Sequence, residues 1–436
     1  MRKIKGRAAS VMLLCLLVIF GMTVYVLRYI DDGGSWAMYF SSVNSGSTGR
    51  LLDRNGELLA YFSGADNSFA EDELTRKASY HVTGDFWGRT GSGLISDFVS
   101  ELQGFSLISG TTKAQHRVLE LSIDTKLNNL AYEALGEERS GAVLLCNYKT
   151  GEILCLVSTP SIDPAASEIE PKEGAYINRC LSAAFTPGSV FKLITAAAAI
   201  ENLDIYNMEF YCEGVYTIAG VDIKCSGVHY TQNFEDALAN SCNCAFAQIA
   251  VKLGQDTMIK YVQDYGFLES HELDGISTAV GSYPLDFVGD PELAWSGIGQ
   301  STDLVCPYSM LRYVSAIANG GVLTEHSLIL DDEEPGTSRL VSESTANELK
   351  QLMSYAAYTH YDSENNFPGL NICAKTGTAE LGDGTSHAWF TGFLDDAEHP
   401  YAFVVLVERG GGGLSTAGVL ANTLLQEAVL QEAVSE

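Results

Sequence analysis

Phe185-Thr186-Pro187-Gly188-Ser189-Val190-Phe191-Lys192 runs directly into Leu193-Ile194-Thr195-Ala196-Ala197-Ala198-Ala199-Ile200. Pro187 and Gly188 end whatever precedes them, and the alanine run behind Lys192 is a strong helix former. Ser189 is therefore expected in or just before the first helical turn, with Lys192 three residues on and on the same face. A serine hydroxyl is a poor nucleophile at its ordinary pKa and needs a neighbouring base. Lysine is such a base when burial and nearby charge lower its own pKa. The helix start adds N–H groups and positive partial charge where an oxyanion could develop. At average residue usage roughly one or two Ser-x-x-Lys matches arise by chance in a chain this long. Ser189 is the only serine here with a lysine three residues later. An ordinary helix-start serine followed by a surface lysine would read the same way, so other segments must decide.

Two further short motifs bear on it. Ser-x-Asn occurs at Ser42-Val43-Asn44, Ser241-Cys242-Asn243 and Ser363-Glu364-Asn365, and Lys-Thr-Gly at Lys149-Thr150-Gly151 and Lys375-Thr376-Gly377. Ser42 and Lys149 precede Ser189. Lys149-Thr150-Gly151 also falls at a predicted hairpin tip, where glycine has a plain turn role. Ser363 lies in a polar loop close to Lys375, with little chain between them to build separate cleft walls. Ser241-Cys242-Asn243, at a predicted helix start, and Lys375-Thr376-Gly377-Thr378, beside a predicted strand, remain.

The 436 residues are 46% hydrophobic, enough for two or three domains with a large core. Lys and Arg total 26 against 55 Asp and Glu, a formal charge of -29. That balance argues against nucleic acid as a partner, because phosphate binding needs a basic surface. Arg2, Lys3, Lys5 and Arg7 precede an uncharged run from Ala8 to Leu27. As a helix the run would be about 30 Å long, the thickness of a bilayer's hydrocarbon core. Its basic flank places residues 1–7 in the cytoplasm and the rest of the chain outside. The run is too long for the apolar core of a cleaved signal peptide and lacks a small-x-small site after it. An uncleaved single anchor at 8–27 is expected. Ten cysteines are present, with no Cys-x-x-Cys and no His-Glu-x-x-His, so the motifs lend no support to a metal site. Most cysteines read as small buried hydrophobes. Cys212 and Cys225 flank a predicted hairpin, which leaves a disulfide between them open.

Residues 28–115 read as a small membrane-proximal module. Within it Arg50 to Ala60 is strand, Asn-Gly turn, strand. From 116 the pattern regularises. Val118–Leu121, Gly141–Asn147 and Glu152–Ser158 read as strands, and Leu127, Leu130, Ala131 and Ala134 mark a helix face. Glu235–Leu253 reads as mostly helical, and Pro307–Asn319 and Asn347–Tyr358 as further helices. His387–Phe393 and Tyr401–Glu408 return to strand before a closing helix, Ala417–Val434. Strands early and late with helices between predict an α+β fold whose one sheet is built from both ends of residues 116–436.

Ser-x-x-Lys, Ser-x-Asn and Lys-Thr-Gly in that order form a signature of serine β-lactamases and penicillin-binding proteins. The chain resembles the class B penicillin-binding proteins, the monofunctional peptidoglycan transpeptidases, and looks like one of their shorter members. The resemblance extends to Gly49-Arg50…Asp53-Arg54-Asn55-Gly56, Asn178-Arg179, Gly299-Gln300, Ala318-Asn319-Gly320-Gly321 and Ala388 to Phe393. It is dense over 116–436 and thin over 28–115. It implies an antiparallel sheet flanked by helices, the penicillin-binding/serine β-lactamase-like transpeptidase fold, with no preceding glycosyltransferase domain. It also implies Ser189 as the acylated nucleophile, Lys192 as its base, and Ser241 as proton relay to the leaving amine. Asn243 would bind the substrate amide, Lys375 supply a cationic field, and Thr376 hold a terminal carboxylate. Gly377 completes that motif, and the N–H groups of Ser189 and Thr378 would form an oxyanion hole. The implied partners are D-Ala-D-Ala stem peptides, β-lactams, the membrane and a cell-wall glycosyltransferase; no cofactor or metal is implied. A D,D-carboxypeptidase would use the same residues with water as acceptor. A β-lactamase of the class A type would carry a Glu-x-x-Leu-Asn run, which is absent. A non-catalytic sensor would need a cytoplasmic signalling domain, where only seven residues are expected before the anchor, and a scaffold has little reason to keep all three motifs.

Overall fold

The computed structural model describes residues 2–31, 48–63, 67–90, 92–96, 98, 105–106, 110–111, 116–166, 170–284, 286, 289–331 and 334–435. Ser42-Val43-Asn44 lies outside them. Helix α1, Arg2–Asp31, carries the apolar run. The large hydrophobic side chains described in it, between residues 11 and 27, are exposed. Among the described residues no helix is long and apolar enough to cross a membrane, and the described side chains of α1 stop at residues 11–27.

Strands β1 (Thr48–Leu52) and β2 (Leu58–Phe62) form the expected hairpin, followed by β3 (Ser68–Phe69) and helix α2 (Glu73–Thr83). Strand β4 (His116–Glu120) pairs parallel to β1, giving a small sheet ordered β3-β2-β1-β4. The boundary expected at 115/116 is therefore crossed by strand pairing, and Leu51, Leu59 and Phe62 share a core with Leu144 and Leu156. The hairpin turn is not a two-residue Asn-Gly turn. The buried Asp53 carboxylate organises a longer loop, accepting from the N–H groups of Asn55 (2.9 Å), Glu57 (2.7 Å) and, across the chain, Thr125 (3.1 Å). Gly56 supplies the positive φ of +81° that closes the loop.

Helix α3 (Thr125–Leu135) is capped by Asp124, whose side chain accepts from Leu127 N–H. Strands β5 (Gly141–Asn147) and β6 (Ile153–Thr159) follow, joined at Lys149-Thr150-Gly151. A turn of 3₁₀ helix, Gly188–Phe191, leads into α4 (Lys192–Asn202). Next come the short strands β7 (Phe210–Cys212), β8 (Val215–Ile218), β9 (Val221–Lys224) and β10 (Tyr230–Gln232). Helices α5 (Phe234–Ala239), α6 (Asn243–Leu253), α7 (Gln255–Asp264), α8 (Asp290–Ser296), α9 (Pro307–Ala318) and α10 (Glu343–His360) complete the helical half. The chain closes with β11 (Ile372–Glu380), β12 (Ser386–Leu394), β13 (Tyr401–Val407), a π turn at Gly413–Gly418 and α11 (Val419–Ser435).

The central sheet is antiparallel throughout, in the order β11-β12-β13-β5-β6, so its strands do come from both ends of the segment. Its middle strands read as unbroken apolar runs because both faces are covered. Ala142, Leu144 and Cys146 of β5 and Ala402, Val404 and Leu406 of β13 join the core that includes α4, α6 and α9. The alternate residues Val143, Leu145, Phe403 and Val405 join a second core with α3 and α11. Each fully buried Val, Leu or Phe contributes roughly 1.5–3 kcal/mol. The free edge of β11 is left facing the helical half.

Replacing Asp53 tests how firmly the small sheet is tied to α3. Asp53→Ala removes an acceptor shared by three N–H groups and should cost about 3 kcal/mol in urea unfolding, given about 1.5–3 kcal/mol for one hydrogen bond to a charged group. A loss below about 0.5 kcal/mol would mean that water replaces the carboxylate freely.

Candidate active site

Three segments meet at the free edge of β11. The first is the Ser189 turn. Gly188 takes φ +55° and donates its N–H to Gly299 O at 2.8 Å. A Cβ on Gly188 would sit 2.9 Å from Ala379 Cα, and one on Gly377 2.9 Å from Trp389 Cβ and 3.0 Å from Pro187 O. Bare backbone at both positions lets β11 press on the turn. Trp389 on β12 fixes it further, donating from its indole Nε1 to Thr186 O at 2.9 Å. Lys192, one turn on, is wholly buried in the first turn of α4.

The second segment joins α5 to α6. The expected continuous helix breaks there because Ser241 adopts φ +53°. Ser241 N–H bonds to Leu238 O and Cys242 N–H to Ala237 O, the pairing that ends a helix on a left-handed residue. Glycine is the usual residue at that position, and a side chain there costs roughly 1–2 kcal/mol. Serine carries a hydroxyl that glycine cannot supply. Cys242 then caps α6, its sulfur accepting from Ala245 N–H at 3.4 Å, which sets Asn243 at the first helical position.

The third segment is β11 itself. Lys375, Gly377 and Ala379 are buried toward the helical half, while Thr376, Thr378 and Glu380 are more exposed. Lys375 Nζ donates to Ser241 Oγ at 2.9 Å and to Thr376 O at 3.0 Å. Lys192 Nζ donates to Ser241 Oγ at 3.3 Å, Ser241 O at 2.5 Å and Asn243 Oδ1 at 2.7 Å. Two lysine amines thus share one hydroxyl. Burial, and secondly the Lys375 charge, pulls the Lys192 pKa down to about 7. Burial likewise lowers Lys375 to about 7. Two ammonium ions cannot both be comfortable at one oxygen. We assign the neutral form to Lys192, because the Lys375 charge adds to burial there, whereas burial alone acts on Lys375.

Thr376 N–H and Thr376 Oγ1 both donate to the phenol oxygen of Tyr361, at 3.2 and 3.3 Å. With its amide turned to satisfy both partners, Gln300 brackets the N–H and C=O of Glu380 at 3.3 Å each. The N–H groups of residues 376 and 380 therefore leave the free edge of β11, and strand alternation sends that of Thr378 the same way. Ser189, Asn243, Thr378, Gln300 and Lys224 line a cleft of about 280 Å³ at this edge.

The structure thus gathers Lys192, Ser241, Asn243 and Lys375 into one hydrogen-bonded group, and Ser189, Asn243 and Thr378 around one cleft. Gly377 abuts the Ser189 turn, and Thr376 rests on Tyr361. Among the described residues no hydrogen bond joins Lys192 to Ser189. In unliganded sites such contacts often tighten only on substrate binding. The second Lys-Thr-Gly, at 149–151, lies far off at the β5–β6 turn, where Thr150 N–H bonds to Asn147 Oδ1. Tyr361 has no sequence signal marking it for the site, whereas Trp389 lies in the run from Ala388 to Phe393 that carries the resemblance, with no role attached to it.

Residues 141–426 match the penicillin binding protein transpeptidase domain. The chain belongs to the penicillin-binding protein transpeptidase family. Penicillin-binding proteins of this family are serine acyltransferases, and the relatives place this one in class B. It is 29% identical over 334 residues to stage V sporulation protein D of Bacillus subtilis, covering 70% of this chain and 51% of that protein. It is 27% identical over 431 residues to peptidoglycan D,D-transpeptidase PbpA of Mycolicibacterium smegmatis, covering 85% of this chain and 86% of that one. The chain thus spans about half the length of the Bacillus relative. Penicillin-binding protein A of M. tuberculosis, solved as a penicillin G acyl-enzyme complex, superposes with a TM-score of 0.75 at 24% identity over 88% of this chain and 100% of that one. The D,D-transpeptidase domain of a peptidoglycan glycosyltransferase from Eggerthella lenta gives a TM-score of 0.76 at 20% identity over 90% of this chain and 100% of that one. The α+β transpeptidase fold expected from the motifs is the one observed.

Two measurements probe the shared hydroxyl. Ser241→Gly and Ser241→Ala both remove it, but only glycine relieves the left-handed backbone. The glycine variant should be about 1 kcal/mol more stable than the alanine variant in urea, with acylation by penicillin reduced equally in both. Equal stabilities would mean that the φ of +53° carries no strain. Raising pH through about 7 removes the Lys192 proton, so the acylation rate should climb with a midpoint near pH 7. A midpoint near the ordinary lysine value of about 10.4 would show that the buried amine is not the base.

Proposed function

We propose that this chain is a membrane-anchored peptidoglycan D,D-transpeptidase that cross-links stem peptides through a Ser189 acyl-enzyme. The observation that carries the reading is the Ser241 hydroxyl shared by Lys192 and Lys375 beside the Ser189 turn. Neutral Lys192 takes the Ser189 proton as Oγ attacks the penultimate D-alanine carbonyl. The N–H groups of Ser189 and Thr378 receive the developing oxyanion. The proton moves from Lys192 through Ser241 to the departing D-alanine amine, whose bond to the carbonyl breaks. An amine from a neighbouring strand then attacks the ester, and the same relay runs in reverse. Asn243 is assigned to the substrate amide. Lys375 and Thr376 are assigned to the C-terminal carboxylate, with Tyr361 orienting Thr376. A β-lactam presents the same carbonyl and carboxylate and acylates Ser189 in the same way.

The uncharged run Ala8–Leu27 within α1 supports an anchor, because its described side chains are apolar and exposed to the surroundings. With residues 1–7 in the cytoplasm, residues 28–115 form a membrane-proximal segment and 116–436 an extracytoplasmic catalytic domain. A cell-wall glycosyltransferase is the partner that would supply the strands to be joined.

Mass spectrometry after incubation with labelled penicillin should find the adduct on Ser189 and none in Ser189→Ala. An adduct on a folded Ser189→Ala protein refutes the assignment. With a D-Ala-D-Ala peptide and a free amine, the amide product should dominate over the hydrolysed acid; acid alone would make the protein a carboxypeptidase. The two Lys-Thr-Gly copies offer an internal control. Thr376→Val should lower acylation efficiency roughly ten- to a hundredfold, the worth of a charge-assisted hydrogen bond of about 1.5–3 kcal/mol. Thr150→Val should acylate normally, and the reverse pattern would overturn the choice between the copies.

A further inference from the structure

Cys212, Cys225, His229 and Cys242 come from four separate places: the end of β7, the loop after β9, the approach to β10, and the α5–α6 join. Their ligand atoms all lie within 4.8 Å of one another. We propose that they form a tetrahedral site for a zinc-class divalent cation, and that the bound ion clamps the Ser241–Asn243 segment in its working position. The spacing argues for a metal rather than a disulfide. A tetrahedron with metal–sulfur bonds of about 2.3 Å has sulfur–sulfur edges of about 3.8 Å and slightly shorter sulfur–nitrogen edges. Cys225 Sγ lies 3.8 Å from Cys242 Sγ and 3.7 Å from His229 Nδ1. A disulfide would bring two sulfurs to about 2.05 Å. The disulfide left open between Cys212 and Cys225 is not formed, and both are free thiols.

The backbone supports the same reading independently. Each of the three sulfurs receives a main-chain N–H: Gly214 to Cys212 at 3.4 Å, Asn243 to Cys225 at 3.3 Å and Ala245 to Cys242 at 3.4 Å. A neutral thiol is a weak acceptor, whereas a thiolate bound to a cation repays such donors with charge-assisted bonds. Cys212 and Cys242 are buried, and Cys225 and His229 are partly exposed, which leaves an entry path for the ion. Three thiolates and one imidazole make the closed, four-ligand set of a structural zinc site. Loading it releases the three thiol protons. The borderline-soft ligands disfavour magnesium and calcium.

The site's position gives the ion its role. Cys242 is the middle residue of Ser241-Cys242-Asn243, and Cys225 Sγ accepts the N–H of Asn243 itself. Asn243 Nδ2 also donates to Lys224 O at 2.8 Å, next to Cys225. One ion would therefore tie the strained Ser241 backbone and the Asn243 side chain to the β8–β9 hairpin. No Cys-x-x-Cys marks the site, because its ligands approach one another only when that hairpin folds over α6.

The positioning half of this proposal rests on the acyl-transfer reading; the metal site does not. The full chain, purified in detergent without chelator, should hold about one equivalent of zinc by elemental mass spectrometry. Exchange for cobalt should produce the intense visible bands and thiolate charge transfer of a tetrahedral site. His229→Ala and Cys225→Ser should each cut the metal content at least tenfold, while Cys155→Ser should leave it unchanged. If the variants do not fold, the wild-type stoichiometry and cobalt spectrum decide alone. Folded wild-type protein that takes up less than about a tenth of an equivalent after zinc addition overturns the site. So does a disulfide mapped between any two of the three cysteines. Removing the ion with a chelator should slow penicillin acylation at least tenfold, and zinc should restore it. Unchanged acylation in metal-free protein overturns the clamp. A zinc-replete protein that never acylates would instead refute the acyl-transfer reading.

Discussion

Two buried lysine amines meeting at the hydroxyl of Ser241 are the arrangement on which the rest of this structure depends. An ammonium ion withdrawn from water costs several kcal/mol unless it finds partners. Lys192 and Lys375 lie at zero exposure, and among the described residues neither hydrogen bonds to a carboxylate. Their partners are oxygens that can share a proton: a hydroxyl, two carbonyls and an amide. A site built this way is unstable as a dication and settles with one amine neutral near pH 7. In the proposed reaction that cost to folding is also the source of the chemistry, since a neutral lysine beside the Ser189 turn is the proposed base.

The remaining architecture keeps that arrangement in register. Lys192 comes from a helix, Ser241 from a helix join and Lys375 from a sheet edge, so each must be held by its own element. The sheet is buried on both faces and therefore rigid. Its edge strand can approach the Ser189 turn only because Gly188 and Gly377 offer no side chain at the contact. The left-handed backbone at Ser241 is a local strain at the residue that the proposed function uses as proton relay. Beside it, the three cysteines and His229 offer an anchoring point for that strained segment.

Thr376, assigned in the proposed function to the substrate carboxylate, lies on an edge strand. Its N–H and hydroxyl both rest on Tyr361, and Gln300 brackets Glu380 four residues on. Side chains occupy the two ends of this edge, and Thr378 between them lines the cleft. An extended peptide laid along that gap would meet main-chain groups already oriented for strand addition.

Much of this was legible in the sequence. The strands Gly141–Asn147 and Tyr401–Val407 are long apolar runs, the Pro307 helix start is a local signal, and the order of three motifs picks out Ser189, Lys192, Ser241 and Lys375; the helix expected from Asn347 starts earlier, at Glu343 behind the Ser342 cap. These features are local because propensity, capping and hydrophobic periodicity act over a few residues. Tertiary structure decided what the sequence left open. The Lys375–Ser241 bond spans 134 positions, and Tyr361 reaches Thr376 only because α10 packs beside β11. The break in the helix expected over 235–253 comes with the left-handed backbone of Ser241, a conformation for which the local preference is glycine. The cysteines, read singly as small apolar residues, became a cluster once β7, the β8–β9 hairpin and the α5–α6 join packed together. Contacts between distant segments leave no periodic trace in the chain, because the side chains that make them are chosen for one another and not for their neighbours in sequence.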